Sequence, residues 1–206
     1  MTDMKRSIPE IRFSYGWLVA EVASIELNKQ WGDGTPLRSY DEYKAIAKKY
    51  EKWWTPTSTQ ILEAMCDIFK LEFKQNIIDV YVVPWFYAIS DPMILGPAFQ
   101  SQDHIINNLT HELLHRLLTD NTTYEYDHNF LEDWEKMFGE RDFNELIHIP
   151  IHAGMKKIMI DVLKRPELVK LDMKEVAHNT PYKDAWDYVN KHGHDAIIKK
   201  LIAHRP

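Results

Sequence analysis

Residues 110–115 read Thr110-His111-Glu112-Leu113-Leu114-His115, and this stretch decides how the rest of the chain is read. Four residues of α-helix turn through about 400°. His111 and His115 therefore stand one above the other on a single helical face. Both imidazoles can then reach one cation at the usual zinc–nitrogen distance of about 2.0–2.1 Å. Glu112 is rotated by about 100° from His111, toward the open side of such an ion, where its carboxylate can take a proton from a metal-bound water. The flanks fit a buried site helix over residues 103–119. Ile105, Ile106, Leu109, Leu113 and Leu117 recur at helical spacing and form one apolar stripe beside the histidine face. Two solvated histidines on an amphipathic surface helix are the plainer alternative.

The pattern His111-Glu112-x-x-His115 resembles that of zincin-type zinc metallopeptidases. The resemblance implies a peptide or protein substrate and one Zn2+ per chain. It also implies His111 and His115 as zinc ligands, with Glu112 as the catalytic base. A catalytic zinc needs a third protein ligand and an open position for water. The metzincin continuation fails, because Leu118 stands where its glycine belongs and Asn121 where its third histidine belongs.

His128 is one candidate third ligand. The run from His111 through Asp127-His128-Asn129-Phe130 resembles the SprT-like metallopeptidases, in which a third histidine opens the helix after the metal helix. Asn129 replaces their usual glycine, and no Cys-rich zinc ribbon follows. The other candidates lie in Asn144-Glu145-Leu146-Ile147-His148-Ile149-Pro150-Ile151-His152-Ala153-Gly154. Glu145 follows an Asn as the third ligand of gluzincins does, but Ile149 stands where their supporting Asp belongs. His148 and His152 are four residues apart, so one can bind metal while the other supports it. Ala153 and Gly154 are small enough for a close approach to the metal helix. The third ligand is thus one of His148, His152 or His128, with Glu145 behind them.

The chain has 206 residues, a size that suits a single domain. With 45% hydrophobic and 12% aromatic residues it can bury a sizeable core. A net charge of -6 excludes nucleic-acid binding that relies on bulk positive charge. The single Cys66 rules out an intramolecular disulfide and a Cys-rich zinc finger, and suits a reducing compartment. No apolar run reaches membrane-spanning length, and the start, MTDMKRSIPE, lacks a signal-peptide core. The expectation is a cytoplasmic protein with no membrane partner.

In chain order, residues 12–31 read as an amphipathic helix carrying Trp17, Leu18, Val22, Ile25 and Leu27. Gly32-Asp33-Gly34-Thr35-Pro36 is a turn. Asp41 caps a helix through Trp54, and Pro56 separates it from another over residues 58–72, with Ile61, Leu62, Met65, Ile68 and Phe69 inward. Lys44, Lys48, Lys49 and Lys52 form a solvated face. Ile77-Ile78-Asp79-Val80-Tyr81-Val82-Val83 is a strand ended by Pro84. A short extended piece at residues 93–95 resembles the edge strand along which zincins pair a substrate backbone. Pro150 fits the first turn of a helix running to about Lys164, with His148 and His152 near its start. Residues 167–178 and 182–203 are helices packed through Trp186, Val189, Ile197, Ile198 and Leu201.

These readings give an α+β, predominantly helical, zincin-like domain over residues 1–206, with a small sheet and an HExxH active-site helix. Residues 1–75 form a helical part, 76–165 hold the strand, metal helix and third-ligand region, and 166–206 are C-terminal helices. The expected function is zinc-dependent peptide hydrolysis. Its rivals are a non-catalytic metal-binding interaction protein, closed by four ligands such as His111, His115, His128 and His152, and a latent peptidase plugged by its own terminal helices. Tyr124, Tyr126, His192 and His194 can stabilise an oxyanion by residue type alone. His104, two turns before His111, can rim the cleft.

Overall fold

The structure is a computed structural model that describes residues 8–22, 25, 38–84, 88–121 and 130–204. The chain is mostly helical with a small mixed sheet. Among the described residues no helix is long and apolar enough to cross a membrane. Contacts group them into two compact units, one from residues 8–59 and 75–113, the other from residues 60–74 and 114–204.

In the first unit, strand β2 (Ile77–Val82) alternates, with Ile78, Val80 and Val82 buried and Ile77 and Asp79 exposed, as a pleated strand requires. Strand β1 (Glu10–Ser14) pairs parallel with it, from Glu10 opposite Ile77 to Ser14 opposite Tyr81. The expected helix over residues 12–31 therefore gives way to a strand at its start. Residues 17–22 are helical, yet Trp17, Leu18, Val22 and Ile25 are exposed, and Ala20 clusters with Val83 and Ile94, with Val19 packed against them. Leu27 lies outside the described residues.

Strand β3 (Ile89–Ser90) turns back through Asp91-Pro92 into β4 (Met93–Leu95), so the two pair antiparallel. Strand β4 also pairs parallel with β2, giving the order β1-β2-β4-β3. Residues 93–95 thus form an inner strand, bonded on both sides, and cannot offer the free edge expected of them. That edge belongs to β3.

Helix α1 (Tyr40–Phe69) is continuous through Pro56, where two helices were expected. Hydroxyl groups bond carbonyls around the interruption: Thr55 Oγ1 donates to Glu51 O at 2.7 Å and Ser58 Oγ to Thr55 O at 2.9 Å. Its start is capped by Ser39, not by Asp41. Ser39 Oγ accepts from the Glu42 N–H, and the Glu42 carboxylate accepts from the Ser39 N–H at 2.7 Å, a capping box. Tyr50 lies buried on this helix. Its hydroxyl donates to Gly96 O and accepts from the Phe99 N–H, both at 3.1 Å. Gln102 Nε2 donates to Trp53 O at 2.9 Å. These bonds fix the segment that enters α2 (Gln102–Thr119).

In the second unit, helices α3 (Phe130–Phe138), α5 (Pro166–Glu175), α6 (Thr180–His192) and α7 (His194–Ala203) all contact α4 (Phe143–Lys157). Helix α4 begins before the proline expected to open it. Asp142 caps it by accepting from the Asn144 N–H at 2.8 Å and the Glu145 N–H at 3.4 Å. Pro150 lies inside the helix. Beyond Lys157 the helix loosens into a π turn (Ile158–Val162) and ends at Lys164, whose φ of 59° is left-handed. Pro166 disfavours helical backbone at Arg165, which stops it there. The expected helix over residues 182–203 is broken at Gly193, which adopts φ 82° and separates α6 from α7. Trp186, Val189, Ile197, Ile198 and Leu201 are all buried, as their spacing indicated.

Candidate metal centre

Helix α2 is anchored by its back. Ile105, Ile106, Leu109, Leu113 and Leu117 are fully buried, so the opposite face, with His111 and His115 one turn apart, is set by the same rotation. Helix α4 reaches it closely within the second unit. A Cβ on Gly154 would lie 2.7 Å from Phe69 Cε2 and 3.1 Å from Leu114 Cδ2, so only a glycine fits there without displacement. This contact lays α4 against the turn of α2 that carries His115.

His111, His115 and His148 each offer a ring nitrogen, and these three atoms lie within 4.8 Å of one another. The rings of His115 and His148 meet edge to face, with centroids 5.0 Å apart. His148 Nδ1 lies 2.5 Å from Asn144 O. A carbonyl can only accept, so the proton sits on Nδ1 and the Nε2 lone pair is left to face the other histidines.

Burial pushes the His115 imidazole down to about 3, with nearby His148 adding to the effect. Burial lowers His148 to about 4, against the Asn144 carbonyl, which favours the charged form. Burial outweighs that carbonyl, so both rings are neutral at neutral pH, the form that binds metal. Glu112, on the same helix, is pushed up to about 8 by burial. A cation beside it would reverse that preference and favour the carboxylate.

The other candidates meet different partners, although the His152 ring is only 5.6 Å from that of His148. His152 is fully buried and stacks on Trp186, centroids 4.4 Å apart and planes 11° apart. Glu145 pairs with Arg141 on its own helix entry, and Arg141 in turn lies over the Tyr188 ring at 4.5 Å. Its carboxylate is therefore drawn to a guanidinium rather than to the histidines. His128, Tyr124 and Tyr126 lie outside the described residues. His192 stacks on Tyr188 at 4.1 Å. His194 Nε2 lies 3.6 Å from both Asp161 Oδ2 and Asp195 Oδ2. Those carboxylates are already bridged by the Lys157 ammonium at 2.7 and 2.8 Å, so the positive charge of that cluster comes from the chain itself. His104 lies at the start of α2, its Nδ1 2.5 Å from Ser101 Oγ.

No protein-family model, curated protein or solved structure matches this chain. The site is therefore read on its own residues.

Two neighbours of the histidines carry no motif. Tyr182 lies on His148, ring centroids 3.8 Å apart, and Trp186, whose Nε1–H donates to Asp172 at 2.7 Å, stacks on His152. The available sequence signal was the spacing of Tyr182 and Trp186, which matches that of His148 and His152.

Proposed function

We propose that this chain is a zinc-dependent hydrolase of the zincin type, acting on peptide bonds, with His111, His115 and His148 as the metal-holding residues and Glu112 as the base. The observation that carries this reading is the convergence of three histidine nitrogens within 4.8 Å, two of them flanking Glu112 on α2. The donor set fits zinc, which favours neutral imidazole nitrogen. Three protein ligands leave a position open, as catalytic zinc sites do. When bound, zinc would supply Lewis-acid chemistry, polarising the scissile carbonyl and activating water near neutral pH.

The chain's own residues do the rest. Asn144 O holds the His148 proton on Nδ1, so that Nε2 would be the atom offered to a metal. The apolar back of α2 keeps both of its histidines on one face. Glu112 accepts a proton from the attacking water and returns it to the leaving amine. The peptide bond as substrate rests on the resemblance of the His111–His115 pattern to zincin peptidases.

The test is metal analysis of the purified protein combined with Glu112→Gln. One zinc per chain is expected in both proteins, with casein hydrolysis lost only in the variant. General-base catalysis typically contributes about 10²–10⁴-fold, so loss of that order is the expected result. A variant that cleaves casein at the wild-type rate would remove Glu112 from the mechanism.

A further inference from the structure

Helix α6 meets α4 in register. Tyr182 and Trp186 are one turn apart on α6; His148 and His152 are one turn apart on α4. Each aromatic ring lies against one imidazole, Tyr182 on His148 at 3.8 Å and Trp186 on His152 at 4.4 Å. The cross pair, Tyr182 and His152, is farther apart at 6.1 Å. Trp186 is itself pinned, because its indole N–H donates to the buried Asp172 of α5 at 2.7 Å. The Trp186–His152 stack is thus a fixed reference that sets how α6 is seated along α4.

A ligand imidazole needs two restraints. One fixes which nitrogen carries the proton, and Asn144 O provides it at the edge of the ring. The other narrows the ring plane, since rotation about the Cβ–Cγ bond is broad and a single edge contact limits it without fixing it. We propose that Tyr182 is the positioning residue of the metal centre. Its ring face, seated by the Trp186–His152 stack, sets the plane of His148 so that Nε2 lies with the nitrogens of His111 and His115. This inference rests on His148 being a ligand and adds what orients it. The active element is the ring face, not the hydroxyl.

Cobalt(II), a spectroscopic stand-in for zinc, separates orientation from stability. Zinc-free wild type, Tyr182→Phe and Tyr182→Leu are titrated with Co2+ and followed by visible absorption, and their apo melting temperatures are recorded. Tyr182→Leu should weaken Co2+ binding by roughly 10–100-fold, the usual effect of losing a support to a ligand, and alter the absorption band. Tyr182→Phe should match wild type in both. Wild-type affinity and band in the Leu variant overturn the inference, as does a Phe variant that behaves like Leu. Should the Leu variant not fold, a change in band or affinity in the Phe variant is enough to overturn it. Wild type that binds no cobalt would instead overturn the metal centre itself, so the two failures are distinct.

Discussion

The Asp172 carboxyl is buried between α5 and α6, where burial raises its pKa from 3.8 to about 7 and the Trp186 N–H bond opposes that rise without cancelling it. The folded protein therefore binds a proton that the unfolded chain has released between about pH 4 and pH 7. The sign follows directly: this contribution to stability is fully present below the unfolded pKa and is lost as pH rises through the folded one. A separation of about three pKa units corresponds to about 4 kcal/mol. Asp172→Asn keeps an oxygen for the indole but cannot ionise. Its urea midpoint should fall less than that of wild type between pH 4 and pH 8, and it should be the more stable protein at pH 8. Parallel pH dependences would show that Asp172 titrates as an ordinary carboxylate. At this scale the sequence was legible where chemistry is written as a motif. The His111-Glu112-x-x-His115 spacing dictates a shared helical face, whereas Asp172 and Tyr182 matter only through partners brought near by tertiary packing. The placement of His148, His152 and Glu145 was equally hidden, because it depends on which side chain meets Asn144 O, Trp186 or Arg141.

Helix α4 shows how one small residue sets the distance between elements. Gly154 faces the Phe69 ring and Leu114, both fully buried, so neither can retreat into solvent. Gly154→Val adds carbon where a Cβ alone would be 2.7 Å from Phe69 Cε2. Overpacking of a filled core costs about 1–3 kcal/mol, and valine recovers only a few tenths of a kcal/mol in helix propensity over glycine. The zinc-free variant should melt roughly 1–10 °C below wild type, given about 2–4 °C per kcal/mol at this chain length. It should also bind zinc more weakly, because His148 rides on the displaced helix. Unchanged melting by circular dichroism would mean that α4 sits farther from α2 than described. The closeness of these helices was readable in advance from Ala153 and Gly154. Other element boundaries were not. The apolar residues between 11 and 25 carry a helical spacing that masks the β1 pairing, and a strand's partner is not encoded in its own residues. Pro56 signalled a break, but α1 runs through it. Gly193 marked the opposite case, a break that only its left-handed backbone made necessary.

At the scale of the whole molecule, the proposed metal centre draws His115 from α2 and His148 from α4, more than thirty positions apart in the chain. An unfolded chain holds no such trio, so an ion that binds His111, His115 and His148 binds the folded state and stabilises it by mass action. At free zinc one hundred times its dissociation constant the gain is about 2.7 kcal/mol, or roughly 5–11 °C in melting temperature for a chain of this length. Removing zinc with a chelator should lower the melting temperature by that amount, and restoring zinc should recover it. His148→Ala should abolish the difference between the zinc-loaded and zinc-free curves. His152→Phe keeps an aromatic ring stacked on Trp186, so it should preserve the zinc-dependent shift even where its baseline stability moves. The contrast between the two variants is the decisive measurement. A zinc-dependent shift that survives His148→Ala but vanishes in His152→Phe would reassign the third ligand to the neighbouring turn of α4.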